Sequence, residues 1–494
     1  MRANAPPMFD LRPVGYVLGL LILTLGVTMV IPLGADVMVG NGHWGAFAEA
    51  GAITALTGLF LTLACANGVS EGLTIQQTFL LTTGAWVVLP LFGSLPLILG
   101  DAIGPDQGAR PVDAFFEAMS AMTTTGSTVL SELESLPVGL NLWRALMQWF
   151  GGIGIVVVAM VFLPELRVGG MQIFRSEAFD TMGKILPRAG EIASRISVIY
   201  LVLTIACGVT YSMLGMAPFD ALMHALTTLS TGGFSNYDAS FGTFQGPLEY
   251  AAAVFMISAS LPFVRYIQLV AGTAKPILQD SQIRAYLITI LGLAVFFAAY
   301  RVVLNDDHWE HGFREALFNV TSIISGTGYA SVDYQLWGAV PVVIFFFVGL
   351  IGGCAGSTSC SIKVFRYQLL MAAVATQVRR IYAPHGVFEP RYEGRPVTEE
   401  VISSVMAFFV LFFVFLGIFA VLLGLTGLDV ITSVSGAATA LGNIGPGLGD
   451  TIGPSGNFQS LPDTSKWILS AAMLVGRLEL MAVMVLFTAA FWRA

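Results

Sequence analysis

The sequence predicts an all-α polytopic membrane protein, with two leading transmembrane helices ahead of four tandem helix–loop–helix repeats. Three observations predict it. Of the 494 residues, 55% are hydrophobic and only 11% charged, at a mean hydropathy of +0.78, whereas soluble domains carry about 25% charged residues. Apolar runs of membrane length recur along the whole chain. Between them, four short glycine turns recur at roughly 100-residue intervals. The first observation excludes a soluble enzyme, a collagen and a disordered chain. The net charge of −8 has no basic patch interleaved with aromatics, which excludes nucleic acid as a partner. Cys65, Cys207, Cys354 and Cys360 stand in or beside apolar stretches, so neither a disulfide framework nor a cysteine zinc site is suggested.

A crossing needs about 20 mostly apolar residues. Candidates lie near 15–34, 45–66, 77–99, 140–163, 192–215, 248–272, 285–304, 337–380 (interrupted), 401–424 and 467–492. The first run follows Arg2 and Arg12, exceeds a signal-peptide core in length and has no small-residue cleavage site after it, so it is expected to remain as a helix. Lys and Arg collect in 164–196 (Arg167, Arg175, Lys184, Arg188, Arg195) and in 362–396 (Lys363, Arg366, Arg379, Arg380, Arg391, Arg395). The opposite side holds only Arg110, Arg144, Arg301, Arg314 and Lys466. Positive-inside bias therefore puts both termini in the cytoplasm. Lys363 and Arg366 read as ordinary cytoplasmic anchors, and His224 carries no assigned role.

Shorter apolar stretches of about 10–14 residues lie between the long ones and suit re-entrant segments. Each ends in a similar turn: Thr123-Thr124-Thr125-Gly126-Ser127, Ser230-Thr231-Gly232-Gly233-Phe234, Ser325-Gly326-Thr327-Gly328-Tyr329 and Asn443-Ile444-Gly445-Pro446-Gly447. An acid precedes each glycine near the start of the short helix (Asp113, Asp220, Glu315, Asp429), and another follows it (Glu132, Asp238, Asp333, Asp450). The repeat divides the chain into a two-helix extension at 1–70 and pore repeats at 71–170, 171–275, 276–395 and 396–494.

A short helix entering the bilayer points its partially negative C-terminus at the centre. The chain then returns extended, with glycine tolerating the angles that an inward row of carbonyls requires. Four such turns around one axis make a cage that replaces the hydration shell of a monovalent cation. Exposed backbone at membrane depth is allowed only where it lines water or is buried in protein. The expected ion ligands are the carbonyls of Thr124, Thr125 and Gly126, of Ser230, Thr231 and Gly232, of Gly326, Thr327 and Gly328, and of Asn443, Ile444 and Gly445. Glu132, Asp238, Asp333 and Asp450 are expected at the outer mouth, where they concentrate cations. Any one such turn is ordinary; four in register favour a pore.

Residues 352–361 read Gly-Gly-Cys-Ala-Gly-Ser-Thr-Ser-Cys-Ser, a run without a bulky side chain that weakens helix strongly. A gate is expected here, in backbone across the path below the turns, with Gly352, Gly353, Gly356, Ser357, Thr358 and Ser359 in it. A GxxxG packing seam from Gly352 to Gly356 is the plainer alternative. Arg477 lies near the middle of the last span, where a charge costs at least about 2.5 kcal/mol and faces a cavity or partner. It is expected to hold the gate through the loop's carbonyls and to oppose cations, with a structural pair on another helix as the alternative.

Three function classes compete on these residues: an ion-conducting pore, a secondary transporter and an intramembrane aspartyl protease. A transporter of the inverted-repeat kind predicts two interrupted spans, against four parallel units and one interrupted span here. Gly447-Leu448-Gly449-Asp450 and Tyr237-Asp238 imitate a protease pair, yet both aspartates occupy the slot after a turn glycine that Glu132 and Asp333 also fill. The chain has no Walker A or GxGxxG run, so no nucleotide site or other cofactor is expected in it.

On the four turns, on 352–359 and on Gly476-Arg477-Leu478-Glu479, the chain resembles the Trk/Ktr/HKT superfamily of potassium transporters, over essentially its whole length. The extra leading helices favour its TrkH/TrkG branch over the shorter Ktr one. The resemblance implies helix–pore-loop–helix units like potassium-channel subunits, potassium as the transported ion and the bacterial inner membrane as the location. It also implies a homodimer with one pore per chain and a cytosolic, nucleotide-binding regulatory ring of the TrkA kind. Coupling to sodium or protons in a symporter of the same fold is the alternative. The four turns share one glycine each, a departure from strict potassium-channel filters.

Overall fold

The computed structural model describes residues 10–68, 73–100, 110–161, 189–305 and 307–493. Arg167, Arg175, Lys184 and Arg188 of the first basic segment lie outside the described residues. The leading pair consists of α1 (Arg12–Thr28), continued by α2 (Val30–Val39), and α3 (Trp44–Cys65). α1 and α3 touch backbone to backbone: a Cβ on Gly58 would strike the main chain of Leu23, and one on Gly26 that of Ala55. Small residues thus permit the close approach that holds helices together in lipid.

Four helix–pore-helix–helix groups follow. In the first, α4 (Ile75–Gly93) precedes the pore helix α5 (Pro111–Met122) and α6 (Val138–Val161). The second has α7 (Ala189–Met213), pore helix α8 (Pro218–Leu229) and α9 (Pro247–Ala259), which bends by 91° into α10 (Phe263–Val270). The third has α11 (Ser281–Asn305), pore helix α12 (Trp309–Ser325), α13 (Ala339–Gly349) and, beyond a break, α14 (Val364–Tyr382). The fourth has α15 (Glu399–Leu425), pore helix α16 (Val430–Gly442), α17 (Asp463–Arg477) and the short α18 (Met481–Val485).

Pro starts α5 and α8 at a position where its missing N–H costs nothing. Asp429 caps α16 by accepting the Thr432 amide at 3.0 Å, and hydrogen bonds from Thr432 hold its carboxyl below the ordinary value. Each pore helix packs on the flanking helices of its own group and on the last helix of the preceding one: α8 on α6, α12 on α9, α16 on α13 and α5 on α17. The order closes on itself, so the four groups form a ring.

Hydropathy gave one interrupted span; the structure breaks three. Besides 350–363, the expected span 248–272 turns sharply at Ser260-Leu261-Pro262, where Pro262 has no N–H to continue the helix. The expected span 467–492 stops at Arg477, and Glu479 and Leu480 take φ of 58° and 42°. Among the described residues, six helices are long and apolar enough to cross a membrane, or seven with the bent pair counted as one.

Candidate functional site

The four turns share one backbone geometry. Thr124, Thr231, Gly326 and Asn443 end the pore helices with φ of 52°, 51°, 75° and 49°, and two residues on Gly126, Gly233, Gly328 and Gly445 have φ of 87°, 73°, 82° and 114°. Between them Thr125, Gly232, Thr327 and Ile444 each donate an amide back into their own pore helix, to Ser120, Thr227, Ser322 and Thr439, at 2.8–3.0 Å. This register corrects the expected one in the second turn. Gly233, not Gly232, matches Gly126, and the matching triplet is Thr231-Gly232-Gly233; Ser230 falls one place before it. The Gly-Gly doublet left the sequence alignment free to slip by one.

The turns close a ring. A Cβ on Gly126 would overlap the carbonyl oxygen of Gly232, one on Gly233 that of Thr327, one on Gly328 that of Ile444, and one on Gly445 would stand 3.0 Å from that of Thr125. Each glycine therefore abuts the middle carbonyl of the next turn, in the cyclic order of the helix packing. A left-handed backbone and the absence of a side chain are both required there. Neutral contacts tie the seam between the fourth and first turns: Ser127 Oγ donates to the Gly445 carbonyl at 2.7 Å, and Asn443 Nδ2 to Thr125 Oγ1 at 2.9 Å.

In three pore helices the residue nine places before the turn glycine, and in the fourth the residue ten places before it, grips the chain as it leaves its turn, and residues of different chemistry do it. Glu117 accepts the Val129 amide at 2.9 Å, Asn319 the Ser331 amide at 3.2 Å, and His224 Nε2 meets Ser235 Oγ at 3.0 Å. In the fourth group Ser435 takes the Leu448 amide at 2.9 Å. His224, without a role in the sequence, belongs to this set. Its signal was its spacing from the turn glycine, hidden by the change of residue type.

Above the ring lies a cavity of about 200 Å³, lined by the four turn glycines, Arg144 and Asp238 among others. Of the expected mouth acids only Asp238 lines it. Glu132 and Asp450 are exposed nearby, and Asp333 caps the turn at Gln335. The acids that begin the pore helices are used internally. Asp113 pairs with Lys466 at 2.5 Å, Glu315 with Arg301 at 2.5 Å, and Asp220 accepts from Asn236 and Tyr237.

Below the ring, residues 350–363 leave the helix and run buried through the protein. Cys360 is the contact point. Its Sγ lies 3.8 Å from Thr124 Oγ1, and its amide nitrogen is 3.4 Å from where a Cβ of Gly326 would stand. Those turns belong to groups one and three, opposite each other in the ring, so Cys360 crosses the axis. It stood inside the expected gating run but was not singled out.

The break has its hydrogen bonds met by the other break. The Ala259 carbonyl accepts Thr358 N and Oγ1 at 3.3 and 3.0 Å, the Ser260 carbonyl accepts Cys354 N at 3.0 Å, and Phe263 N donates to the Gly356 carbonyl at 3.0 Å. Ser361 N binds the Gly442 carbonyl at the end of α16, and Gly353 N binds Ser359 Oγ at 2.8 Å. Irregular backbone at this depth is thereby satisfied by protein.

Arg477 is buried and faces this loop. It contacts Cys360 Sγ, donates to the Gly151 carbonyl at 3.0 Å and stands over Trp86 at 5.4 Å, with no carboxylate partner among the described residues. The expectation that it grips loop carbonyls is corrected: it holds the loop by a side chain, and its carbonyl comes from α6. Lys363 and Arg366 are corrected too. Both are buried, Lys363 on the Ser359 carbonyl and Arg366 paired with Glu479 and stacked 3.8 Å from the Phe408 ring centroid.

A ring of four pore loops over a crossing loop is the geometry against which relatives can be compared. The family model for TrkH, described as a cation transport protein, matches residues 44–494. The chain belongs to the TrkH family. It is 42% identical to the Trk system potassium uptake protein TrkI of Halomonas elongata, over 97% of either chain. It is 32% identical to the Trk system potassium uptake protein TrkH of Escherichia coli K12, over 98% of this chain and 99% of that one. The crystal structure of the potassium transporter TrkH from Vibrio parahaemolyticus superposes with a TM-score of 0.89, at 31% identity, over 98% of this chain and all of that one. These TrkH-family relatives are named as transporters, and the chain is not an enzyme.

Proposed function

We propose that this chain takes up potassium through a pore in which the carbonyls of Thr125, Gly232, Thr327 and Ile444 form the ion-selecting ring. The observation that carries the reading is the cyclic contact of each turn glycine with the next turn's carbonyl. A closed ring of neutral oxygens substitutes for the water around an alkali cation without the cost of burying an unpaired charge. The names of the relatives supply potassium as the ion. Segment 350–363 is the gate, with Cys360 on the axis and Arg477 as a positive charge that disfavours a cation below the ring. Asp238 raises the cation concentration in the outer cavity.

Orientation follows from which cations are neutralised. On the mouth side Arg110, Arg144, Arg301, Arg314 and Lys466 all pair with acids. Lys275, Arg284, Arg379, Arg380, Arg391 and Arg395 are exposed. The exposed set faces the cytoplasm under the positive-inside bias, with both termini on that side of the bacterial inner membrane. Inward movement then gains about 2.3 kcal/mol per 100 mV for each charge. The reading extends to a homodimer and to a cytosolic nucleotide-binding partner of the TrkA kind, which would dock on this cationic face and release the gate.

The test is a bi-ionic measurement on the purified protein in planar bilayers, with potassium on one side and sodium on the other. A reversal potential displaced toward potassium supports the reading. Solute-dependent, electrically silent flux overturns it.

A further inference from the structure

Arg144 is a buried cation that the conduction pathway does not need as a charge, yet it touches two of the four pore loops. Its Nε donates to Glu117 at 2.8 Å, and both residues are fully buried. Glu117 holds the first loop through Thr128 Oγ1 at 2.9 Å and the Val129 amide. The other end of the guanidinium reaches the second loop: Nη1 donates to the Ser235 carbonyl at 3.0 Å, and the group lies 4.3 Å from the centroid of Phe234. One helical turn further along α6, Gln148 donates to the Gly232 carbonyl at 2.7 Å and accepts the Phe234 amide at 3.1 Å. Helix α6 of the first group thus fixes the second group's loop on both sides of Gly233.

The other seams are made differently. Between loops two and three, Tyr329 Oη meets Thr227 Oγ1 at 2.5 Å and the Ala330 carbonyl accepts the Phe241 amide. Between three and four, Gln335 binds the main chain of Gly449. The Glu117–Arg144 pair reaches loop backbone within three residues of the turn glycines, at Val129 and Ser235, whereas the pairs Glu249–Arg314 and Asp113–Lys466 at other seams reach backbone farther along, at Gly246 and Gln459. A carbonyl ring discriminates between alkali ions through its size and stiffness, and a planar, forked guanidinium fixes distances that a point charge cannot.

We propose that Glu117, Arg144 and Gln148 are positioning residues that set the gap between loops one and two, and so the ion discrimination of the ring. This rests on the conduction reading above. The prediction concerns the ratio of ions, which a merely structural role does not move.

The experiment compares parent, Arg144→Lys and Gln148→Leu in planar bilayers, with folding checked by monodispersity and thermal midpoint. Arg144→Lys keeps the charge and loses the fork; Gln148→Leu keeps the bulk and frees the Gly232 carbonyl. The expected result is a reversal-potential shift equal to about a tenfold rise in sodium relative to potassium, the ratio given by loss of a hydrogen bond of about 1.4 kcal/mol. An unchanged ratio in folded protein, whatever happens to total current, overturns the proposal. If Arg144→Lys fails to fold, Gln148→Leu decides alone. If the parent itself carries no potassium, the conduction reading fails instead, and the two failures are distinguishable.

Discussion

At the ring each of four loops supplies one glycine and one middle carbonyl, and each glycine rests on its neighbour's oxygen. Beneath it a single loop from the third group crosses the axis, pinned by the second group's bend, the end of α16 and Arg477. The ring is fourfold and built of backbone; the floor is onefold and held by side chains as well. A spherical ion has no preferred direction, so equal contributions from all sides suit its selection. Obstruction, the role proposed for the floor, has the opposite need, since one element that moves would open the path without disturbing the cage. The three helix breaks follow from this division: those at 260–262 and 350–363 satisfy each other's backbone, and that at 478–480 ends α17 where Arg477 meets Cys360.

The largest effect is expected from breaking the ring. Gly328→Ala puts a methyl group into the Ile444 carbonyl and forces a left-handed backbone on alanine, a strain of about 1–3 kcal/mol before any displacement of the cage. Rubidium uptake into liposomes should fall at least about a hundredfold. Gly232→Ala is the control for register. Its Cβ would press on the Gln148 side chain rather than on a neighbouring turn's carbonyl, so the loss of uptake should stay below about tenfold; equal losses at Gly232 and Gly233 would argue against the assigned register.

Breaking the floor should act in the other direction. Arg477→Ala removes a buried charge and the tie to Cys360, and is expected to raise flux about tenfold. Cys360→Ala should raise it less, because the loop's bonds to Ala259 and Ser260 persist. Unchanged or lower flux in both would remove segment 350–363 as the gate. The smallest effect belongs to the mouth. Asp238→Asn should raise the half-saturating ion concentration about twofold at low salt and have no effect at high salt, where exposed charges are screened.

Much of the ring was legible because glycine turns and flanking acids repeat visibly, and the loop at 350–363 because ten small residues in a row cannot sustain a buried helix. The misreadings share a cause. Hydropathy sees only averages, so Pro262 inside Ile257-Ser258-Ala259-Ser260-Leu261-Pro262-Phe263-Val264 did not register as a break. Charges counted toward loop positions are buried: Arg144, Arg366 and Lys466 because acids far away in sequence meet them, and Lys363 because the Ser359 carbonyl of the folded-back break does. The grips on the pore loops escaped notice because Glu117, His224 and Asn319 share a position, with Ser435 one place earlier in its helix, and the four share a hydrogen-bonding task but no side-chain chemistry.

The ring's role as an ion site is tested most directly by anomalous diffraction from crystals soaked in rubidium or thallous salt. The account predicts density on the axis between the carbonyls of Thr125, Gly232, Thr327 and Ile444, weakened by Gly328→Ala. Ions found only at surface carboxylates, with nothing on the axis at high occupancy elsewhere, would contradict it.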